Sequence, residues 1–476
     1  MLKHSEEKRE MAKITRRELL KWGMVGTGAV VLAACAPKEP TPAPKQEEPQ
    51  KEAPTAAPAA QEPAKAEGAV ALRFLVRQGD MGGAMREFAK RYADESNGKV
   101  TVTTEEVPWA EVPKTLETQL VTDTMVDMTW GDTAWWPYLA KRGAFLVIED
   151  MVAEEKIDLK EWFNIEWFKK WTDGKLSGLG GDAGINHILA FYNKTWVTEA
   201  WGKEPTDDWT MDDYAECMAA CVKAKGDGFF GGNGPIGGNH VCDGWVRNWG
   251  GFYINPEGDK SLFAEPKTQD GIKWMMEQLK SKNWPGREDA AEGETKMFLG
   301  GKQAILISNP GASQGMVAGC KENGIELGVC LAPKGPSCFE TPPRRAFIPY
   351  SNTYGIWAKT KFPKETFGLL LRVTSVEAQK WLTMQTGKQP GARLATWYDA
   401  DIVAKFPWFP KVADLMKECT DAFSMPGNTR YQEWVDVGVN EISPIVYSEV
   451  EYNDANIQTV TDHLQEILDL PVPGGS

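Results

Sequence analysis

Between residues 70 and 142 the chain switches between strand-like and helix-like hydrophobic patterns five times, and this alternation constrains the fold more than any other feature. VALRFLV at 70–76 reads as a buried strand, GDMGG at 79–83 as a turn, and 84–92 as an amphipathic helix. VTVTTEEV at 100–107 alternates as a second strand, and 112–122 follows as a second helix. VDMTW at 126–130 is a third short strand, and 135–142 is a helix ended by Gly143. This βαβαβ order predicts an α/β fold with a mostly parallel sheet covered by helices. In such sheets a ligand binds beyond the carboxyl ends of the strands. The segments there are Gln78-Gly79-Asp80, Pro108-Trp109 and Gly131-Asp132. The first contains glycine but is no phosphate loop, since it lacks GxxxxGK[ST] and a complete GxGxxG.

The length of 476 residues allows two or three domains. With 42% hydrophobic and 25% charged residues, the chain is neither fibrous nor a polytopic membrane protein. A net charge of −14 argues against nucleic acid as partner, because phosphate contacts need a basic face. Residues 1–34 form a targeting segment. Thr15-Arg16-Arg17-Glu18-Leu19-Leu20-Lys21 resembles a twin-arginine export signature. The apolar run at 22–34 has 13 residues, shorter than the roughly 20 that span a bilayer. Leu32-Ala33-Ala34-Cys35 resembles a lipobox, so Cys35 is expected to carry lipid and become the new N-terminus of a protein exported already folded. Residues 36–68 hold eight prolines, nine alanines and no aromatic residue. Such a stretch cannot bury enough apolar surface to offset its ordering entropy and reads as an extended tether. Folded sequence is expected from Ala69 onward.

Seven cysteines remain after the lipobox: Cys217, Cys221, Cys242, Cys320, Cys330, Cys338 and Cys419. An odd number cannot pair completely, and Cys217 with Cys221 on one helix is poor disulfide geometry. Buried thiols are expected, with one disulfide among Cys320, Cys330 and Cys338 left open. No CxxC pair and no histidine spacing suggests a metal or redox site, and no cofactor is expected.

Several pieces of the chain, taken in order, resemble the family 1 extracellular solute-binding proteins, the sugar-binding subunits of ABC importers. The first strand with RQGDMGG is followed by REFAKRYADESNGKVTV and VPWAEVPKTLETQLVTDTMVDMTWGDTAWWPYLAKRGAFLVIEDMV. Phe191-Tyr192-Asn193-Lys194 is similar to the family's "YYNK" strand end. Phe298-Leu299-Gly300-Gly301-Lys302-Gln303-Ala304 is similar to "F..GkaAM". Tyr354-Gly355-Ile356-Trp357-Ala358 matches the family's returning strand. The resemblance covers about residues 70–470.

It implies a two-lobed, type II periplasmic-binding-protein-like fold with a ligand cleft between the lobes. The N-terminal lobe would comprise 69–183 and 352–394, and the C-terminal lobe 184–351 and 395–476. Crossings are expected near Gly180 to Ala183, Asn352 and Leu394. It further implies a monomer on the extracytoplasmic side, anchored by lipid on Cys35 and docking on ABC permease subunits. No Walker motif occurs in the chain itself.

Twenty tryptophans occur and 19 survive removal of the leader. Indole faces cover the apolar faces of sugar rings while carboxylates and amides take the hydroxyls. Most of these tryptophans are expected in the core, including Trp162, Trp167, Trp171, Trp274 and Trp381. Ligand candidates on the first lobe are Gln78, Asp80, Trp109, Trp130, Asp132 and Trp135. Asp80 and Asp132 are equally turn or helix caps, and Trp109 equally a packing residue. On the second lobe the candidates are His240, Trp245, Asn309 and Trp434, with Asn352 and Arg393 at the crossings. Asn239 or His240 offers a ligand contact, and a plain helix cap is the stronger reading of both. Where the family often has an aromatic beyond "GPW", this chain has Ala312, and Trp434 is the candidate replacement or a core residue. A secreted glycoside hydrolase would share the aromatics and needs two carboxylates, but no GxSxG or HExxH motif is present. A third reading keeps the fold and binds a peptide or polyamine.

Overall fold

The computed structural model describes residues 69–234, 243–340, 348–418 and 426–473, all within one compact unit. The predicted alternation forms as expected at the start of the chain. Strand β1 (Val70–Arg77) turns at Gly79, whose φ of 88° suits a residue without a Cβ, into helix α1 (Asp80–Glu95). α1 starts four residues before the expected helix because Gly79 makes the turn alone. It buries Met81, Ala84, Met85, Phe88 and Ala89 at three- to four-residue spacing. Strand β2 (Val100–Val107), helix α2 (Val112–Val121), strand β3 (Met128–Gly131) and helix α3 (Trp136–Lys141) follow.

β1 pairs in parallel with β2 and with β3. The sheet as a whole is mixed. Its order is β2-β1-β3-β8-β4, and β8 (Ile348–Ile356) runs antiparallel to both its neighbours, β3 and β4 (Leu179–Asn186), while the other four strands point the same way, as expected. Nothing local in a strand's sequence states its direction when its partner lies far along the chain, so the reversal of β8 is set by tertiary pairing alone. A second sheet has the order β6-β5-β7 and is antiparallel throughout. It consists of β5 (Leu189–Asn193), β6 (Ile305–Ser308) and β7 (Leu327–Leu331). β4 thus passes, within a few residues, from the first sheet to the second.

Trp136 shows how tightly the first core is closed. Its ring stacks on Phe145 with centroids 3.7 Å apart. A Cβ on Gly131, Gly178 or Gly355 would stand 2.6, 3.1 or 2.2 Å from the indole. Helix α6 (Pro363–Val373) and helix α7 (Val376–Thr386) return to cover α1. Tyr92 Oη donates to the Glu365 carbonyl at 2.8 Å, and Arg372 pairs with Glu95 at 2.7 Å.

Around the second sheet, helix α4 (Met211–Lys225) opens with a capping box between Thr210 and Asp213. Its Tyr214 packs on Trp245 and Trp274, and Trp284 closes on both tryptophans. Trp162, Trp167 and Trp171 are buried, and Trp274 and Trp381 are partly buried against the core, as expected. Cys217, Cys221 and Cys320 are buried free thiols. Cys35, Cys242, Cys419, the leader and the tether lie outside the described residues. Among the described residues no helix is long and apolar enough to cross a membrane.

Candidate ligand-binding site

The carboxyl ends of β1, β2 and β3 open onto a cleft of about 680 Å³. Arg77 is the last residue of β1, Trp109 follows β2, and Asp132 follows β3. These residues, with Met81, Thr133 and Ala134, form one wall. Asp182 and Asn186 from β4 and Tyr350 and Asn352 from β8 form the floor. The opposite wall carries Thr295, Ser308, Asn309, Gly311, Ala312, Lys388 and Gln389.

Trp109 is 37% exposed and presents its indole to the cleft. Its Nε1 donates to Asp132 Oδ2 at 3.3 Å, and its ring meets Trp135 edge-on at 5.4 Å. Trp135 in turn meets Trp130 at 5.8 Å. The Arg77 guanidinium, itself on the cleft wall, lies 5.6 Å from the Trp130 ring centre. The second wall, by contrast, bears amides, hydroxyls and one ammonium group, with no aromatic side chain among its described lining residues.

Two carboxylates face the cleft, each supported by N–H donors. Asp132 Oδ1 accepts from the Ala134 backbone at 3.0 Å. Asp182 is 5% exposed, and its oxygens accept from Trp130 Nε1 at 3.4 Å and Asn352 Nδ2 at 2.9 Å. Burial pushes the Asp132 carboxyl up to about 6, against the pull of the Ala134 and Trp109 donors. Burial raises Asp182 as well, opposed by Asn352, Arg77 and Trp130. Tyr350 Oη accepts from Gln389 Nε2, and burial holds its phenol well above the ordinary range. Among the described residues no group of three or more His, Cys, Asp or Glu side chains could hold a metal ion. The arrangement offers acceptors, donors and one apolar face, which suits a polyhydroxylated solute.

Of the sequence candidates, Trp109, Asp132, Asn309 and Asn352 line the cleft. Trp130 and Trp135 stand behind Trp109 and do not line it. Gln78 and Asp80 are exposed beside it, because β1 runs one residue beyond its expected end and turns Arg77 inward instead.

Three candidates lie elsewhere. Trp245 is 8% exposed in the aromatic cluster on Tyr214. Trp434 is 5% exposed and packs on Tyr431 and Tyr253, so it is a core residue and no replacement platform. Arg393 lies 3.9 Å over the Trp162 ring and pairs with Glu161. Its planar cation finds both an aromatic face and a carboxylate there. His240 lies outside the described residues.

Arg77, Thr133, Asp182, Asn186, Thr295, Lys388 and Gln389 were missed. Asp182 carried a readable signal, an acidic residue in the glycine-rich crossing segment Gly180-Gly181-Asp182. Lys388 and Gln389 sit in a Gly/Pro loop with no pattern of their own.

In overall fold the chain is similar to the GacH receptor of Streptomyces glaucescens, solved unliganded and with acarbose. The TM-score is 0.68 at 15% identity, covering 85% of this chain and 99% of that one. It is similar to the sugar-binding protein MalE of Xanthomonas citri, with a TM-score of 0.70 at 18% identity, covering 84% and 97%. A cyclic alpha-maltosyl-1,6-maltose binding protein from Arthrobacter globiformis gives 0.69 at 16% identity, covering 84% and 99%. These are two-lobed binding proteins, and that is the fold of this chain. Comparison with curated proteins by sequence finds no significant match. The family profile of bacterial extracellular solute-binding proteins matches residues 78–392, about two thirds of the chain. With its cleft at the strand ends between two sheets, this chain belongs to the bacterial extracellular solute-binding protein family.

Proposed function

We propose that the protein is the substrate-binding component of an ABC importer and that its cleft captures a sugar or oligosaccharide for delivery to membrane permease subunits. The observation that carries this reading is Trp109, an exposed indole fixed by Asp132 and set opposite a wall of amides and hydroxyls. An aromatic face with polar groups around it matches a pyranose ring. The sugar ligands named for the relatives in fold support the same class. The N-terminal lobe comprises 69–183 and 352–394, and the C-terminal lobe 184–351 and 395–476. The lobes close by a hinge at the crossing strands. The twin-arginine leader sends the folded protein out, and lipid on Cys35 with the tether at 36–68 holds it at the membrane as a monomer.

Besides the aromatics, the pair Asp132 and Asp182 is the feature a glycoside hydrolase would need. A hydrolase needs one of them protonated as the acid. Here every carboxylate oxygen of the pair accepts from an N–H group, which favours two acceptors over an acid. On this reading the protein binds its ligand without chemistry, and recovery of unaltered sugar is the check on the two raised carboxyls.

The test is tryptophan fluorescence and thermal shift against a panel of sugars, peptides and polyamines, with the sugars analysed afterwards. A saturable response to one sugar class, recovered unaltered, is expected. In Trp109→Ala that response should weaken roughly tenfold, the equivalent of about 1.4 kcal/mol. Sugar turnover would make the protein an enzyme, and a response to peptides or polyamines alone would remove the sugar.

A further inference from the structure

Asn352 was a candidate for direct ligand contact, yet both ends of its carboxamide are already engaged. It is 6% exposed, in the middle of β8. Its Nδ2 donates to Asp182 Oδ2 at 2.9 Å. Its Oδ1 accepts from the Thr133 backbone N–H at 3.2 Å and from Thr133 Oγ1 at 3.4 Å. One amide therefore joins three pieces of chain: β8, the turn after β3 that carries Asp132 and Thr133, and β4, which leads into the second sheet.

We propose that Asn352 is the positioning residue of the cleft: it ties the ligand-facing Asp132–Thr133 turn to Asp182 on β4 and sets the two carboxylates as fixed, paired acceptors for ligand hydroxyls. This rests on the reading of the cleft as a site for a polyhydroxylated ligand. Losing the amide would release the turn and remove one of the two side-chain donors that Asp182 has. A buried acceptor that loses a charge-assisted donor takes up a proton more readily. The groups facing Asp182 are Arg77 from β1, Asp132 from the turn, and Tyr350 and Tyr354 from β8. Arg77 is the only cation among them, and it acts on Asp182 through charge, not through a hydrogen bond. It cannot replace the short bond from Asn352.

The Trp130 and Trp109 indole N–H groups report on Asp182 and Asp132 directly, since each donates to one of them. The test follows these two indole resonances by nitrogen-15 NMR against pH in the purified full-length protein without ligand, for wild type and Asn352→Leu. The Trp130 midpoint should move up by roughly one pH unit in the variant. Affinity for whichever panel sugar binds wild type should fall at least tenfold. Should N352L fail to fold, the smaller and uncharged N352A removes the same donor and must move the midpoint in the same direction. An unmoved midpoint in a folded variant, or unchanged sugar affinity, overturns the proposal. A moved midpoint in a protein that binds no sugar leaves Asn352 in its positioning role and discards the sugar reading instead.

Discussion

Asp132 illustrates how one residue type serves opposite demands. Its ionised form is the acceptor a ligand hydroxyl needs, yet burial holds its carboxyl at about 6. The sign for stability follows directly. A carboxyl raised in the fold contributes stability below the unfolded value, and that contribution is lost as pH rises through about 6. The sign for binding is the reverse, because protonation removes the acceptor. Ligand affinity should therefore fall as pH drops from 7 to 5, and Asp132→Asn should bind weakly with a shallower profile over that range, the remainder coming from Asp182. Fluorescence titration at a series of pH values checks both. Asp132 was legible in the sequence because it follows a strand end directly. Arg77 was not, since one residue of strand length decides whether Arg77 or Gln78 turns inward.

At the scale of elements, the strand–turn–helix units of residues 70–141 were readable because each declares its own period. β4 and β8 were not, because their pairing joins residues more than 160 positions apart. The register of β8 leaves a mark that can be tested. Gly355 pairs with Thr129, and a Cβ there would stand 2.2 Å from the Trp136 ring and 2.8 Å from Phe145. Both rings are buried and stacked, so neither can move aside without disturbing the core. Gly355→Ala should cost about 1–3 kcal/mol, read as a drop in the melting temperature, with little change in ligand affinity if the protein is folded.

For the whole molecule, the relevant fact is an extracellular family whose member here carries reduced thiols in its core. Cys217 and Cys221 lie one turn apart on α4, and Cys320 is buried in the helix Ser313–Glu322. Burial pushes the Cys320 thiol up to about 11, and hydrogen bonding to Cys221 with burial pushes Cys217 up further. Since the thiolate is the reactive form, Cys217 and Cys320 should resist a thiol reagent in the native protein, and burial by itself shields Cys221. Mass mapping of alkylated cysteines should find them unlabelled in buffer and fully labelled in guanidinium. Labelling in buffer would mean that the second sheet opens far more readily than its packing implies.

The sequence by itself determined the strand–helix periods, the leader-and-tether composition, the ordered family motifs, and the acids and tryptophans at strand ends. Each is a local property, carried by neighbours within a turn or two of chain. Only the tertiary structure decided which of those residues meet. It sent Trp245 and Trp434 into cores, drew Arg393 onto Trp162, and brought Asp182 and Asn352 together across 170 residues. The physical reason is that a buried polar group must find a partner wherever the fold provides one. That partner is chosen by distance in space, which no local pattern records.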